Sequence, residues 1–177
     1  MDGKSGRLTR DGIRIYEPAD FAGMHAAGKL AAEILDHVAP MIEPGRSTAD
    51  IDAEITRMID ASDSTSATIG YKGYQHASCI SVNHVVCHGI PGAKTLKDGD
   101  ILNIDVTVIL DGWYGDTSRM YVAGKLGRKA ERLIDVTHDA LMRGIAAVKP
   151  GNTFGDIGHA IQSFVESHRM SVVRDFC

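Results

Sequence analysis

Apolar positions recur along this chain in two rhythms, one helical and one of strands. Between residues 18 and 38, Met24, Ala27, Ala31, Ile34, Leu35 and Val38 fall on one stripe of a 3.6-residue period. Pro18 suits the first turn of that helix and Pro40 closes it. Ser47, Thr48, Ala49 and Asp50 resemble a capping box, and Ile51, Ile55, Met58 and Ile59 carry a second helix. Residues 62–75 are rich in Ser, Thr, Gly and Tyr and read as a loop. "SCISVNHVVCHGI" (78–90) reads as a strand ended by Pro91 and Gly92. Residues 100–122 read as a hairpin turning at Asp111-Gly112. Helices are predicted over 128–148, through Leu133, Ile134, Leu141, Ile145 and Val148, and over 153–167, through Ile157, Ile161, Phe164 and Val165. "MSVVRDFC" (170–177) reads as the beginning of another strand.

The pattern repeats. "EPGRSTADIDAEITRMI" (43–59) aligns without gaps on "KPGNTFGDIGHAIQSFV" (149–165), at an offset of 106. Pro44 and Pro150, Gly45 and Gly151, Asp50 and Asp156, Ile51 and Ile157, and Ile55 and Ile161 are identical pairs. A duplicated helix-turn-helix unit accounts for this. In the second unit Cys177 corresponds to position 71, so the counterpart of 72–127 has no residues in the sequence. The expectation is a little over two-thirds of a pseudo-symmetric whole.

Within the hairpin, a two-residue turn pairs Leu110 with Trp113 and Thr107 with Asp116. Asp105 is then the diagonal neighbour of Asp116. Alternation puts both on one face with Asn103, Thr107 and Ser118, and turns Ile104, Val106 and Val108 into a core. Asp is disfavoured inside a β-branched run. Two anions on diagonal positions, with Cα atoms about 7–8 Å apart, repel unless one is protonated or a cation lies between them. Oxygen ligands on a rigid strand pair suit divalent ions. Two carboxylates are too few for a complete hydrolytic site. His84, Cys87 and His88 are further candidate ligands; His84 and His88 share a strand face, whereas Cys87 faces the other way and reads as core.

Composition narrows the setting. The 177 residues are 44% hydrophobic with a formal net charge of −4, a globular balance that argues against a dedicated nucleic-acid or anionic-membrane surface. The basic residues of "GKSGRLTRDGIR" read as a solvated tail. No apolar run reaches the roughly 20 residues that span a bilayer, and "MDGKSGRLTR" lacks the apolar segment of a secretory signal. Cys79, Cys87 and Cys177 are odd in number and lack CxxC spacing, which points to a reducing cytoplasm rather than a disulfide framework.

"GYKGYQHASCISVNHVVCHGIPG", "LKDGDILNIDVTVILDGWYGDTSRMY" and "FVESHRMSVVRDFC" together resemble the bacterial type I methionine aminopeptidases, from about residue 16 onward. "VCHGIP", "DGDILNIDVT" and "GDTSRM" occur in the family's order. The resemblance implies an α/β (α+β) pita-bread fold with a pseudo-two-fold repeat, its C-terminal half incomplete. A single partial catalytic domain (1–177) would divide into a first half (16–127) and the start of a second (128–177). It implies removal of initiator methionine from nascent chains with a small second residue. It also implies two divalent ions: cobalt, manganese, iron, zinc or nickel. By resemblance Asp105 and Asp116 are the first two metal ligands, Asp116 bridging both ions. His88 is the catalytic histidine that contacts substrate beside the scissile bond. Tyr71, Tyr74 and Cys79 line the pocket for the methionine side chain. Thr68 stands where many members have Cys.

The family continues beyond its "VVRDFC"-like segment with a histidine ligand, a second substrate histidine and two glutamate ligands. None of these is in the sequence; His159 and His168 do not match them. The expectation is therefore a truncated enzyme with weak metal binding and impaired activity. Its partners would be nascent N-termini and the ribosome, with no nucleic acid of its own and no membrane. The family is monomeric, and self-association is expected for this piece. Rival readings are a non-catalytic pita-bread binding module and a related peptidase for X-Pro or creatine-like substrates.

Overall fold

The computed structural model describes residues 6–174. They form two compact units, one through Lys125 and one from Leu126 onward.

The first unit is built on a hairpin of β5 (Asp100–Leu110) and β6 (Trp113–Ala123). Asp111 and Gly112 both take the left-handed conformation, at φ 49° and 76°. This is the primed turn whose twist matches the flanking strands. Their register pairs Leu110 with Trp113 and Thr107 with Asp116, as the two-residue turn predicts. On its other edge β5 pairs antiparallel with β3 (Thr65–Ser66) and β4 (Ser78–Val82). Leu102, Ile104, Val106 and Val108 are fully buried on one face of β5.

That face is covered by helices. An 18–20 3-10 turn leads into α1 (Phe21–Val38), which buries Ala27, Ala31, Ile34, Leu35 and Val38. Met24, on the same predicted stripe, stays exposed. The helix α2 (Thr48–Asp60) buries Ile51, Ile55 and Ile59 in the same cluster. Its capping box is present, with Asp50 N–H donating to the Ser47 hydroxyl at 3.1 Å. A β-carbon at Gly115 would overlap the Ala27 carbonyl, so β6 lies against the α1 backbone only because that residue is glycine. The Tyr121 hydroxyl donates to the Leu35 carbonyl at 2.6 Å and ties the same two elements.

Five expectations need correction in this unit. The basic N-terminal stretch is not merely a tail: β1 (Arg7–Leu8) pairs with β2 (Arg14–Ile15). Thr65 and Ser66 form a short strand within the stretch expected to be loop. The strand expected over 78–90 ends at Val82. Asn83 takes a left-handed conformation (φ 54°), and its side chain accepts from Ile101 N–H and donates to Asp100. The chain turns there and folds back along β4, where Ile80 N–H donates to the Gly89 carbonyl at 2.8 Å. His84 and His88 therefore do not share a strand face. Cys87 is half-buried and lies outside the core cluster.

The second unit contains α3 (Arg128–Ala146) and α4 (Phe154–Ser167). The repeat is visible in its geometry. Gly45 and Gly151 both have φ 94°. Ser47/Asp50 and Thr153/Asp156 form matching capping boxes, and the helices they start begin at Thr48 and Phe154, at the same offset of 106. The face that α3 buries is not the predicted one. Val136, Ala140 and Gly144 are buried, while Leu133, Leu141, Ile145 and Val148 are exposed. The reason is the close crossing with α4: Gly144 faces the Ile161 side chain, and a β-carbon there would stand 2.8 Å from its Cδ1. Residues 170–174 form no regular strand, and the last three residues of the predicted strand lie outside the described residues. No helix among the described residues is long and apolar enough to cross a membrane.

Candidate active site

The face of the β5–β6 hairpin opposite the core opens onto a cavity of about 560 Å³. Tyr71, Tyr74, Cys79, His88, Asp105 and Asp116 all line it, joined by Ala67, Thr68, Lys72, Gly73 and Thr107. Asp105 pairs across the hairpin with Ser118, and Asp116 with Thr107, so the two carboxylates are diagonal neighbours. On the other side of β5, Asp105 is the Cα partner of Cys79. His88 reaches the cavity because the chain doubles back after Asn83; its own φ is 52°. His84 is exposed and is not among the lining residues.

Electrostatics mark this face as strained. Asp105 is half-buried, and its carboxyl is pushed above the ordinary aspartate range, first by burial and then by the charge of Asp116; His88 partly offsets this. Burial also pushes up the Cys79 thiol and the Tyr74 phenol. The Tyr74 hydroxyl donates to the Ser78 carbonyl at 2.8 Å, and the Cys79 sulfur lies 3.6 Å from it. The Thr68 hydroxyl donates to the His76 carbonyl at 2.7 Å. Three lining side chains are thus fastened to the short backbone segment 76–79.

That segment is held by a residue the sequence reading passed over. Asp52, buried on α2, accepts from Ser78 N–H (2.9 Å), the Ser78 hydroxyl (2.7 Å) and His76 Nδ1 (2.9 Å). Its signal was an acid on the core side of a helix, beside Ile51 and Ile55. Lys72 was also missed; only the flanking glycines Gly70 and Gly73 hinted at an unusual backbone.

Hard oxygen donors facing each other across a hairpin are the chemistry of a divalent-cation site, and a cation between them would offset both the burial and the Asp116 charge that raise Asp105. The donor set is partial. Among the described residues no group of three or more His, Cys, Asp or Glu side chains is placed to hold a metal ion, so His84, Cys87 and His88 do not complete it.

The antiparallel sheet, the duplicated helix pairs and the paired carboxylates define a pita-bread α+β peptidase architecture. Residues 22–177 match metallopeptidase family M24, and the chain belongs to that family, which implies divalent metal ions. It is similar to the methionine aminopeptidase of Rickettsia prowazekii (strain Madrid E), 54% identical over 164 residues, covering 93% of this chain and 63% of the relative. The methionine aminopeptidase of Escherichia coli (strain K12) is 48% identical over 167 residues, with the same shares. Among solved structures, methionine aminopeptidase from Rickettsia prowazekii superposes with a TM-score of 0.91 at 54% identity, covering 93% of this chain and 66% of that one. The enzyme from Thermotoga maritima gives 0.88 at 37%, with the same coverage. A Xaa-Pro dipeptidase from Bacillus anthracis, at 18% identity and 0.76, shares the fold alone. The chain thus spans 63–66% of the length of the methionine aminopeptidases it matches.

Proposed function

We propose that this chain carries the first metal-ligand pair and the side-chain pocket of a methionine aminopeptidase, acting on the N-termini of nascent chains whose second residue is small. The observation that carries this reading is that Tyr71, Tyr74, Cys79, His88, Asp105 and Asp116 line one cavity. Asp105 and Asp116 would hold divalent ions such as cobalt, manganese, iron, zinc or nickel. Bound divalent ions would supply Lewis-acid catalysis of peptide hydrolysis.

The chain's own residues do the rest. The two aspartates make one wall of the cavity anionic, which favours a protonated amino terminus. Tyr71, Tyr74 and Cys79 offer a polarisable, largely apolar surface to a thioether side chain. His88, on a loop rather than a strand, would contact the substrate beside the bond to be cut. With only two carboxylates from the described residues, metal binding is weak and turnover by these 177 residues slight. The remaining ligands come from sequence that the longer relatives possess. We read 1–177 as one partial domain, with halves at 16–127 and 128–177. The setting is the cytoplasm, with the ribosome as the source of substrate. A non-catalytic module is disfavoured because both aspartates and His88 keep their places on the cavity.

The test is methionine release from a Met-Gly-containing peptide with manganese or cobalt. The 177-residue chain should release little. A chain extended through the segment present in the relatives should release methionine, and Asp116→Ala in that chain should stop it. Robust release by the 177 residues, lost on Asp116→Ala, would show that the donor set lies elsewhere than argued here.

A further inference from the structure

We propose that Lys72 is a specificity-determining residue of this cavity, selecting peptides that carry a carboxylate downstream of the amino terminus. The inference rests on the reading of the cavity as a peptide N-terminus site. Lys72 is the one lysine or arginine among the described residues that line it, facing a lining that otherwise bears the carboxylates of Asp105 and Asp116. Among the described residues no acid consumes its ammonium. No ion pair to Lys72 forms among the described residues, and the nitrogen lies over the exposed Tyr71 ring, 5.4 Å from the centroid.

The backbone fixes the lysine at the cavity. Lys72 is left-handed (φ 48°, ψ 30°), a conformation uncommon for a residue other than glycine, Asn or Asp. It is flanked by Gly70 and Gly73, themselves at φ 86° and 83°. Four backbone hydrogen bonds hold the turn: Gly70 N–H to the Tyr74 carbonyl at 2.8 Å, Tyr71 N–H to Thr68 at 3.0 Å, Gly73 N–H to Gly70 at 3.2 Å and Tyr74 N–H to Tyr71 at 3.0 Å. Tyr74 in turn is anchored on Ser78. A strained residue held by its surroundings and placed on a ligand cavity is a functional candidate. The lining carries two anions and one cation. A peptide with a cationic amino end and a carboxylate further along presents the opposite set, and an uncharged tail leaves Lys72 unused.

The experiment is a titration of the ¹⁵N-labelled 177-residue chain, followed by amide shifts of the cavity residues, in EDTA so that no turnover occurs. The probes are Met-Gly-Gln-amide, Met-Gly-Glu-amide and Met-Gly-Gln with a free terminal carboxylate. The last two distinguish a side-chain from a main-chain carboxylate. Either or both should bind about threefold more tightly than the uncharged amide, the scale of a partly solvated ion pair. Lys72→Asn, which tolerates the left-handed backbone, should erase the difference, and raised salt should shrink it. The same spectra show that the variant is folded. Equal binding of all three probes, or a preference that survives Lys72→Asn, overturns the role of Lys72 while leaving the cavity reading intact. Absence of cavity shifts with every probe overturns both.

Discussion

Asp52 and Ser78, 26 residues apart, share two hydrogen bonds through one carboxylate oxygen, from the Ser78 amide at 2.9 Å and its hydroxyl at 2.7 Å. This pair locks α2 to the first residue of β4, and with it the wall that carries Tyr74 and Cys79. Removing the carboxylate leaves a buried amide and hydroxyl without partners. Asp52→Ala should therefore destabilise the chain by about 3 kcal/mol, read as a shift in the urea midpoint. Asp52→Asn, which keeps one acceptor oxygen, should lose much less. Hydrogen exchange in 67–79 should rise more than in α1. Equal losses for Ala and Asn would mean the hydrogen bonds are not what holds the wall.

The diagonal pair Asp105 and Asp116 should trade stability for binding. Their repulsion in the metal-free chain destabilises the fold, because Asp105 is half-buried and raised by its neighbour's charge. Asp116→Asn should stabilise the metal-free chain at neutral pH by up to about 1 kcal/mol, the scale of a charge pair near a surface. It should weaken manganese binding measured by calorimetry. A variant that loses stability while retaining metal affinity would contradict both halves of the argument.

Gly115 and Gly144 both meet a neighbouring helix, but the neighbours differ in how far they can yield. At Gly115 a β-carbon would overlap the backbone of Ala27; at Gly144 it meets the flexible end of Ile161. Gly115→Ala should cost about 3 kcal/mol or more and disturb the adjacent Asp116, while Gly144→Ala should cost about 1 kcal/mol. Thermal melts of the two variants decide the order, and a reversed order would refute the assignment of which contact is rigid.

Much of this arrangement was written in local chemistry. Asp111-Gly112 dictates a two-residue turn, the turn dictates the register, and the register puts Asp105 and Asp116 on one face. Ser47 and Thr153, each three residues before an Asp, announce both caps. Where tertiary context decides, the pattern misleads. "SVNHVVCHGI" has the composition of a strand, yet Asn83 finds a better arrangement in a turn bonded to Asp100 and Ile101, and only that turn brings His88 to the cavity. In α3 the large residues suggest a core face, but the close approach of α4 selects Ala140 and Gly144 because they are small. Asp52 shows in the sequence only as an acid on the core side of α2; what it holds is not legible, because its partners lie 24 and 26 residues away.

The ion cluster of His37, Glu54 and Arg57 gives a pH prediction. Glu54 accepts from Arg57 at 2.8 and 2.6 Å and from His37 at 2.7 Å, and its carboxyl is held down at about 2, first by Arg57 and then by His37. A carboxyl lowered in the folded state contributes stability above its unfolded value of 4.5, and that contribution is lost as pH falls from there toward about 2. Glu54 is half-buried but its partners His37 and Arg57 are exposed, so the effect is small and salt-sensitive. Urea midpoints across this window should fall less steeply for Glu54→Gln than for the parent, and salt should narrow the gap. Parallel curves would show that the cluster adds nothing to the fold.

The internal repeat identifies the surface on which copies of this chain should meet. Ala27, Ala31, Ile34, Leu35 and Val38, which α1 packs into the core, have Leu133, Thr137, Ala140, Leu141 and Gly144 as counterparts at the offset of 106. Ala27 and Leu35 are 0% and 1% exposed, whereas Leu133 and Leu141 are 46% and 53% exposed. Met142, Ile145 and Phe154 add further apolar surface in the same unit. Exposed apolar side chains of this size, gathered in one unit, drive association. Sedimentation should show self-association that grows with concentration in the tens of micromolar range, about the level at which partly open apolar surfaces aggregate. Leu133→Glu with Leu141→Lys should suppress it without loss of helix content, because about half of each side chain already faces solvent. Retained association in that double variant, with an intact helical spectrum, would place the contact elsewhere, for instance on the exposed Leu8 and Ile13 of the N-terminal hairpin.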